Sequence, residues 1–274
     1  MKSCLLSVFA MLFVASTLNA QLVWDGTSSP WTHGTGTETD PYLIETPQNL
    51  SRLSDMVNNG LSNYSGVYFK QTEDFNMNNI LFDCIGAQNS FNGHYDGNFK
   101  SISNLVISDL SNYLGLFGNT ANATLRGICV RGIRGNGMSN NKLYVGAICG
   151  KSERDTILQC SCIGDVLLQE TSYNNNYLNI GGLIGYASFS VVEECFVQGN
   201  VRSERYYNIC YIGGIIGHAY SYTSSSSVAD PVAVKSSYFI GDIIVTGNNY
   251  GYDVGYAGLL IGCYYTDNMR NIYD

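Results

Sequence analysis

Five short segments bracketed by glycine constrain this chain more than any other feature. Gly115-Leu-Phe-Gly118, Gly146-Ala-Ile-Cys-Gly150, Gly181-Gly-Leu-Ile-Gly185, Gly213-Gly-Ile-Ile-Gly217 and Gly258-Leu-Leu-Ile-Gly262 align on their last glycine, at separations of 32, 35, 32 and 45 residues. A second glycine column, Gly132, Gly164 and Gly199, follows 14 residues later in the first three units. In the fourth unit Gly241 follows after 24 residues, so an insert of loop composition, rich in Ser and Tyr, lies between Ala219 and Ala233. Apolar columns lie between the glycines: Leu125, Ile157, Val192 and Val234; then Ile128, Cys160, Cys195 and Ser237; then Val130, Cys162, Val197 and Phe239. Positions two apart on one apolar side read as strands with one buried face.

A unit of 32 residues with two or three short strands cannot bury that face alone. Stacking equivalent strands about 4.8 Å apart buries it and satisfies the backbone. The expected fold is therefore all-β: a β-solenoid, a right-handed parallel β-helix given the right-handed bias of parallel crossovers. A propeller is the rival; it needs roughly four strands per unit, for which these units leave little room. Residues 113–274 form the repeat coils and 21–112 an N-terminal cap with degenerate first coils, in one continuous domain over 21–274. Within the cap, Thr46-Pro47 followed by Leu50, Leu53 and Val57 and ending at Asn58-Asn59-Gly60 predicts one short helix. Thr46 serves as its N-cap, Pro47 opens its first turn, and its apolar stripe closes the solenoid end.

Composition agrees and sets limits. Charged residues are 13%, about half the usual ~25%, and Gly is 30 against only 4 Pro. The net charge of −8 disfavours phosphate backbones, so no nucleic-acid partner is expected. Residues 1–20 read as a secretory signal peptide: Lys2, the apolar run Leu5 to Val14, and small Ala20 before Gln21. No later stretch is apolar for long enough to span a membrane as a helix, so the mature chain is expected outside the cell or at its surface, with the periplasm as an alternative. Eight cysteines remain (84, 129, 149, 160, 162, 195, 210 and 263). None has zinc spacing, and most are expected as buried small apolar residues. After Gly262, Met269 and Ile272 continue the columns and the sequence stops at Asp274 part-way round a coil. This predicts a bare edge that a partner or self-association covers, or a truncated product.

The Gly-hydrophobic-hydrophobic-Gly segments resemble GLUG-motif repeats. Gly34-Thr-Gly-Thr-Glu-Thr-Asp-Pro-Tyr-Leu-Ile44, Tyr64-Ser-Gly-Val-Tyr-Phe69 and Phe91-Asn-Gly-His-Tyr-Asp-Gly97 likewise resemble the entry sequence of secreted GLUG proteins of Bacteroidetes-type bacteria. The likeness covers about residues 24–274 and implies fold and export. It implies little chemistry, since such repeats accompany surface adhesins and some large bacterial peptidases. Cys149 departs from the pattern by replacing an aliphatic residue.

Chemistry has few footholds. His33, His94 and His218 begin no His-Glu-x-x-His, which argues against a zincin peptidase, and no Gly-x-Ser-x-Gly elbow occurs. Asp165, Asn200 and Asp242 each follow the second glycine, so Asp165 and Asp242 are the candidate carboxylates of a carbohydrate-active enzyme. Ordinary turn chemistry explains the same column. Asp96-Gly97 and the Glu38/Asp40 pair offer too few oxygens for calcium, so no metal or cofactor is expected. The variable corner is richer: Tyr173, Tyr177, Tyr206, Tyr207, Tyr250 and Tyr252 among asparagines, followed six residues before each terminal glycine by Tyr144, Asn179, Tyr211 and Tyr256. Stacking gathers these into a stripe of phenols and amides that suits a glycan or another protein, although such ladders also satisfy one another. The reading is an adhesin-like module that binds an extracellular glycan or surface protein, without catalysis. A β-helix carbohydrate enzyme and a purely structural segment of a larger surface protein are the alternatives.

Overall fold

The computed structural model describes residues 21–107, 112–137, 142–170, 177–203, 209–221, 231–245 and 254–266. The predicted leader at 1–20 and the predicted edge at Met269 and Ile272 lie outside them.

The described chain winds as a parallel β-solenoid with four sheets, every strand pair parallel. One coil shows the plan. Lys142–Val145 lies in sheet I, Cys149–Glu153 in sheet II, Thr156–Leu158 in sheet III, and Ser161–Ile163 with Val166–Glu170 in two arms of sheet IV. The repeat columns become rungs. Leu125 pairs with Ile157, Ile157 with Val192 and Val192 with Val234, while Val130, Cys162, Val197 and Phe239 stack in the same way. Leu183 and Ile215 are interior neighbours, with the Leu183 N–H donating to the Ile215 carbonyl at 3.0 Å.

The coils that begin at Lys142, Tyr177 and Ile209 each hold five short strands rather than the two or three expected. The corners spend so few residues that strands of three to five fit between them. The tightest corners use left-handed residues that are not glycine. Asn122, Arg154 and Phe189 turn sheet II into sheet III at φ 52–55°, and Gln159, Glu194 and Ser236 turn sheet III into sheet IV at φ 47–55°. Each such residue carries roughly 1–2 kcal/mol of strain, held by the ladders on both sides.

The predicted helix, α1 (Pro47–Asn58), is present. Thr46 caps it and Asn49 completes the capping box. Its stripe of Leu50, Leu53 and Val57 is fully buried. Ser54 donates to the Asp83 carbonyl at 2.6 Å, and Asn58 Oδ1 accepts from the Ala87 N–H at 2.7 Å. The segment so held covers sheet II, where the Gly118 N–H donates to the Ile85 carbonyl. The helix therefore closes the first coils on the side where sheet II begins. Among the described residues no cysteine forms a disulfide, and six of the eight are buried.

A polar knot sits inside this apolar rod. Asp155, 2% exposed, accepts from Thr120 Oγ1 at 2.5 Å, Ser152 Oγ at 2.7 Å and the Ala123 N–H at 2.8 Å, joining consecutive coils. Burial outweighs these donors and pushes its carboxyl up to about 6 from 3.8. The folded state thus holds this proton more tightly than the unfolded state does. Its contribution to stability is intact below about pH 4 and is lost as pH rises through about 6, by up to about 3 kcal/mol. Asp155→Asn should flatten that slope in denaturant titrations between pH 4 and 6.

The bracketing glycines serve close approach. A Cβ on Gly185 would lie 2.4 Å from the Val145 N and 2.8 Å from the Tyr144 carbonyl carbon, both in the preceding coil's sheet I. Gly185→Ala should therefore lower stability by about 2–3 kcal/mol or more, read as a fall in Tm.

Candidate functional site

That close approach builds a groove. From Val145 to Gly150 every residue is buried, as is every residue from Ile180 to Gly185 and from Ile212 to Gly217. The side chains flanking this floor point outward from sheets I and II and face one another. In successive coils sheet I contributes Tyr144, Asn179 and Tyr211 and sheet II contributes Lys151, Tyr186 and His218; across the groove the Tyr144 ring lies 5.5 Å from Tyr186 and the Tyr211 ring 4.6 Å from His218. With Lys142, Tyr177 and Tyr220 they enclose about 320 Å³, at the small end of the ~300–1,000 Å³ usual for ligand clefts.

The sheet I wall is a phenol ladder with one rung missing. Tyr113 stacks on Tyr144 at 5.5 Å, and Tyr211 stacks on Tyr256 at 5.3 Å. Between the two pairs stands Asn179, in register with both Tyr144 and Tyr211. In that coil the aromatic ring comes from the opposite wall. Tyr186 meets Tyr144 edge-on at 5.5 Å and His218 edge-on at 5.3 Å. Asn179 is 4% exposed; its Oδ1 and the Nε2 of His218 are buried without a hydrogen-bond partner. Buried polar atoms left open are costly, and a ligand that supplies partners recovers that cost.

Protonation keeps the phenols and the imidazole of the walls uncharged. Burial pushes the phenols of Tyr144, Tyr186 and Tyr211 up, so all three are neutral donors at ordinary pH. Burial, and then the nearby Lys142 ammonium, pulls the His218 imidazole down to about 4 from 6.5. His218 should stay neutral through neutral pH when followed by NMR, and Lys142→Gln should move its titration part of the way back up.

Of the residues singled out in the sequence, Tyr144, Tyr177 and Tyr211 line this groove. Tyr256 extends the ladder beyond it, 48% exposed. Tyr173, Tyr206, Tyr207, Tyr250 and Tyr252 lie outside the described residues. The opposite wall was missed. Lys151, Tyr186 and His218 each directly follow a terminal glycine, a column visible in the alignment of repeats. Asp165 and Asp242 belong to a corner staple: Asp165 Oδ1 accepts from the Asn200 N–H, and Asn200 Oδ1 accepts from the Asp242 N–H, each at 2.9 Å. Asp96 likewise bonds its own turn through the Asn98 N–H at 2.8 Å. A second, larger concavity of about 750 Å³ lies over sheet III. There Tyr68 stacks on His94 at 4.2 Å, beside the outward ladder Lys70, Asp96 and Arg126.

Comparison with known proteins meets this geometry at one coil. The GLUG motif matches residues 176–202, which begin at the sheet I strand bearing Asn179 and run through Tyr186. A stretch of 99 residues is 36% identical to a protein of Evansella cellulosilytica described as a "Putative Gly-rich membrane protein"; it covers 33% of this chain and 11% of that relative. No solved structure matches the chain. Among the described residues no helix is long and apolar enough to cross a membrane. The chain carries a GLUG motif at residues 176–202, and the motif marks the coil that forms the centre of the groove.

Proposed function

We propose that this protein is an exported carbohydrate-binding module, adhesin-like in use, whose site is the groove between sheets I and II. The observation that carries the reading is the interrupted ladder. Tyr144 and Tyr211 flank Asn179, Tyr186 stands on the opposite wall, and Asn179 and His218, each with a polar atom that lacks a hydrogen-bond partner, line the same half-open groove. A sugar ring has the matching chemistry, with apolar faces for aromatic rings and hydroxyls that both donate and accept. A space of about 320 Å³ takes a ring or two, whereas a standard protein partner covers roughly 800 Å² per side; this favours the glycan over the surface protein. Export rests on the leader-like residues 1–20. The second reading, a carbohydrate-active enzyme built on Asp165 and Asp242, draws less support, because Asp165 is engaged in holding a corner.

A glycan array probed with the protein should give a small set of hits. Asn179→Tyr, which completes the ladder and fills the slot, should abolish them, and Tyr144→Ala should weaken them about tenfold or more, with Tm within a few degrees of the parent. Hits unchanged by both substitutions would refute the groove as the site.

A further inference from the structure

The groove is electrostatically unlike the rest of the molecule. The chain carries 22 acidic against 14 basic side chains, yet among the described residues the groove is lined by two lysines, Lys142 and Lys151, and by no carboxylate. Lys142 sits over the Tyr177 ring at 5.3 Å, which anchors its stem at the groove wall. Its charge is felt across the groove, where it acts on His218. Lys151 stands on the opposite wall, 3.4 Å from Glu153 Oε2, while Arg154 takes the other oxygen of that carboxylate at 2.7 Å. Glu153 is thus shared by two cations. Nothing in the packing of a solenoid calls for cations here. The apolar core is complete beneath the floor, and the neighbouring Tyr and Asn side chains are neutral.

Resting on the groove reading above, we propose that its ligand is an acidic sugar, a pyranose that carries a carboxylate. The ring lies in the gap left by Asn179, against Tyr144 and Tyr186. Its hydroxyls meet Asn179 Oδ1 and His218 Nε2, and its carboxylate lies toward Lys142 and Lys151. A neutral imidazole suits this arrangement, because it accepts or donates one hydrogen bond to a hydroxyl without adding charge. Two lysines are point charges without a fixed fork, so the site reads the presence of the carboxylate more than its orientation. A uronic acid and a sialic acid both satisfy these terms.

Calorimetric titration of the full chain with trigalacturonate and with sialyllactose, each against its uncharged counterpart (galactotriose and lactose), separates the two sources. At least one acidic probe should bind about tenfold or more tighter than its counterpart, and raising salt from about 0.05 to about 0.5 M should erode that preference. Lys142→Gln with Lys151→Gln should bring the acidic probe down to the affinity of the neutral one, at unchanged Tm. Equal binding of charged and neutral probes, both lost in Tyr144→Ala, would overturn the acidic specificity and leave the groove standing. A preference that survives the double lysine variant, or no binding by either acidic probe, would also overturn it. Binding indifferent to Asn179→Tyr would remove the groove itself.

Discussion

Contact between the backbones of sheets I and II at the terminal glycines is the constraint on which the rest depends. At Gly150, Gly185, Gly217 and Gly262 a Cβ would fall within 2.8 Å of backbone in the preceding coil's sheet I. Only a residue without a side chain lets the two sheets meet there. Their meeting buries the turn and leaves its amides to bond the next coil: the Leu183 and Ile184 N–H groups both donate to the Ile215 carbonyl at 3.0 Å. A repeat of this kind propagates because each coil presents to the next the surface it received from the last.

The same contact produces the candidate site as a by-product of packing. Sheets that touch along one edge hold their outward side chains face to face, so each coil contributes one residue to each wall. Were every rung of sheet I a tyrosine, the rings would stack on one another and leave no space. Tyr113 on Tyr144 and Tyr211 on Tyr256 show what that ladder looks like. One asparagine interrupts it, and the compensating ring of Tyr186 approaches from the other side. The binding potential of this solenoid therefore lies in a departure from its own regularity, where local consistency is given up.

Much of the architecture was legible before any coordinates. Equal spacings of glycine and apolar residues named the rungs correctly. Thr46, Pro47 and the Leu50, Leu53 and Val57 stripe placed the one helix, because capping and amphipathicity are local properties. The strand count was underestimated because the corners at Arg154, Gln159, Phe189 and Glu194 are left-handed without glycine. No composition signal marks such a turn when ladders on both sides enforce it. The sheet I wall was anticipated in part through Tyr144, Asn179 and Tyr211, whereas Lys151, Tyr186 and His218 were overlooked. A column of unlike residues carries no periodic signature, and only folding reveals that it faces the tyrosines.

What the sequence determined by itself is the period: which residues stack on which, since hydrogen-bonded rungs make separation along the chain equivalent to height along the rod. The bend of each coil comes from packing between coils. It brings sheets I and II together around glycine and turns two columns seven residues apart, at Tyr144 and Lys151 and their equivalents, into opposite walls of one groove. Spacing along a chain fixes order and register. The angle at which two strands leave a glycine turn depends on the backbone packed against it, and that is a property of the whole stack.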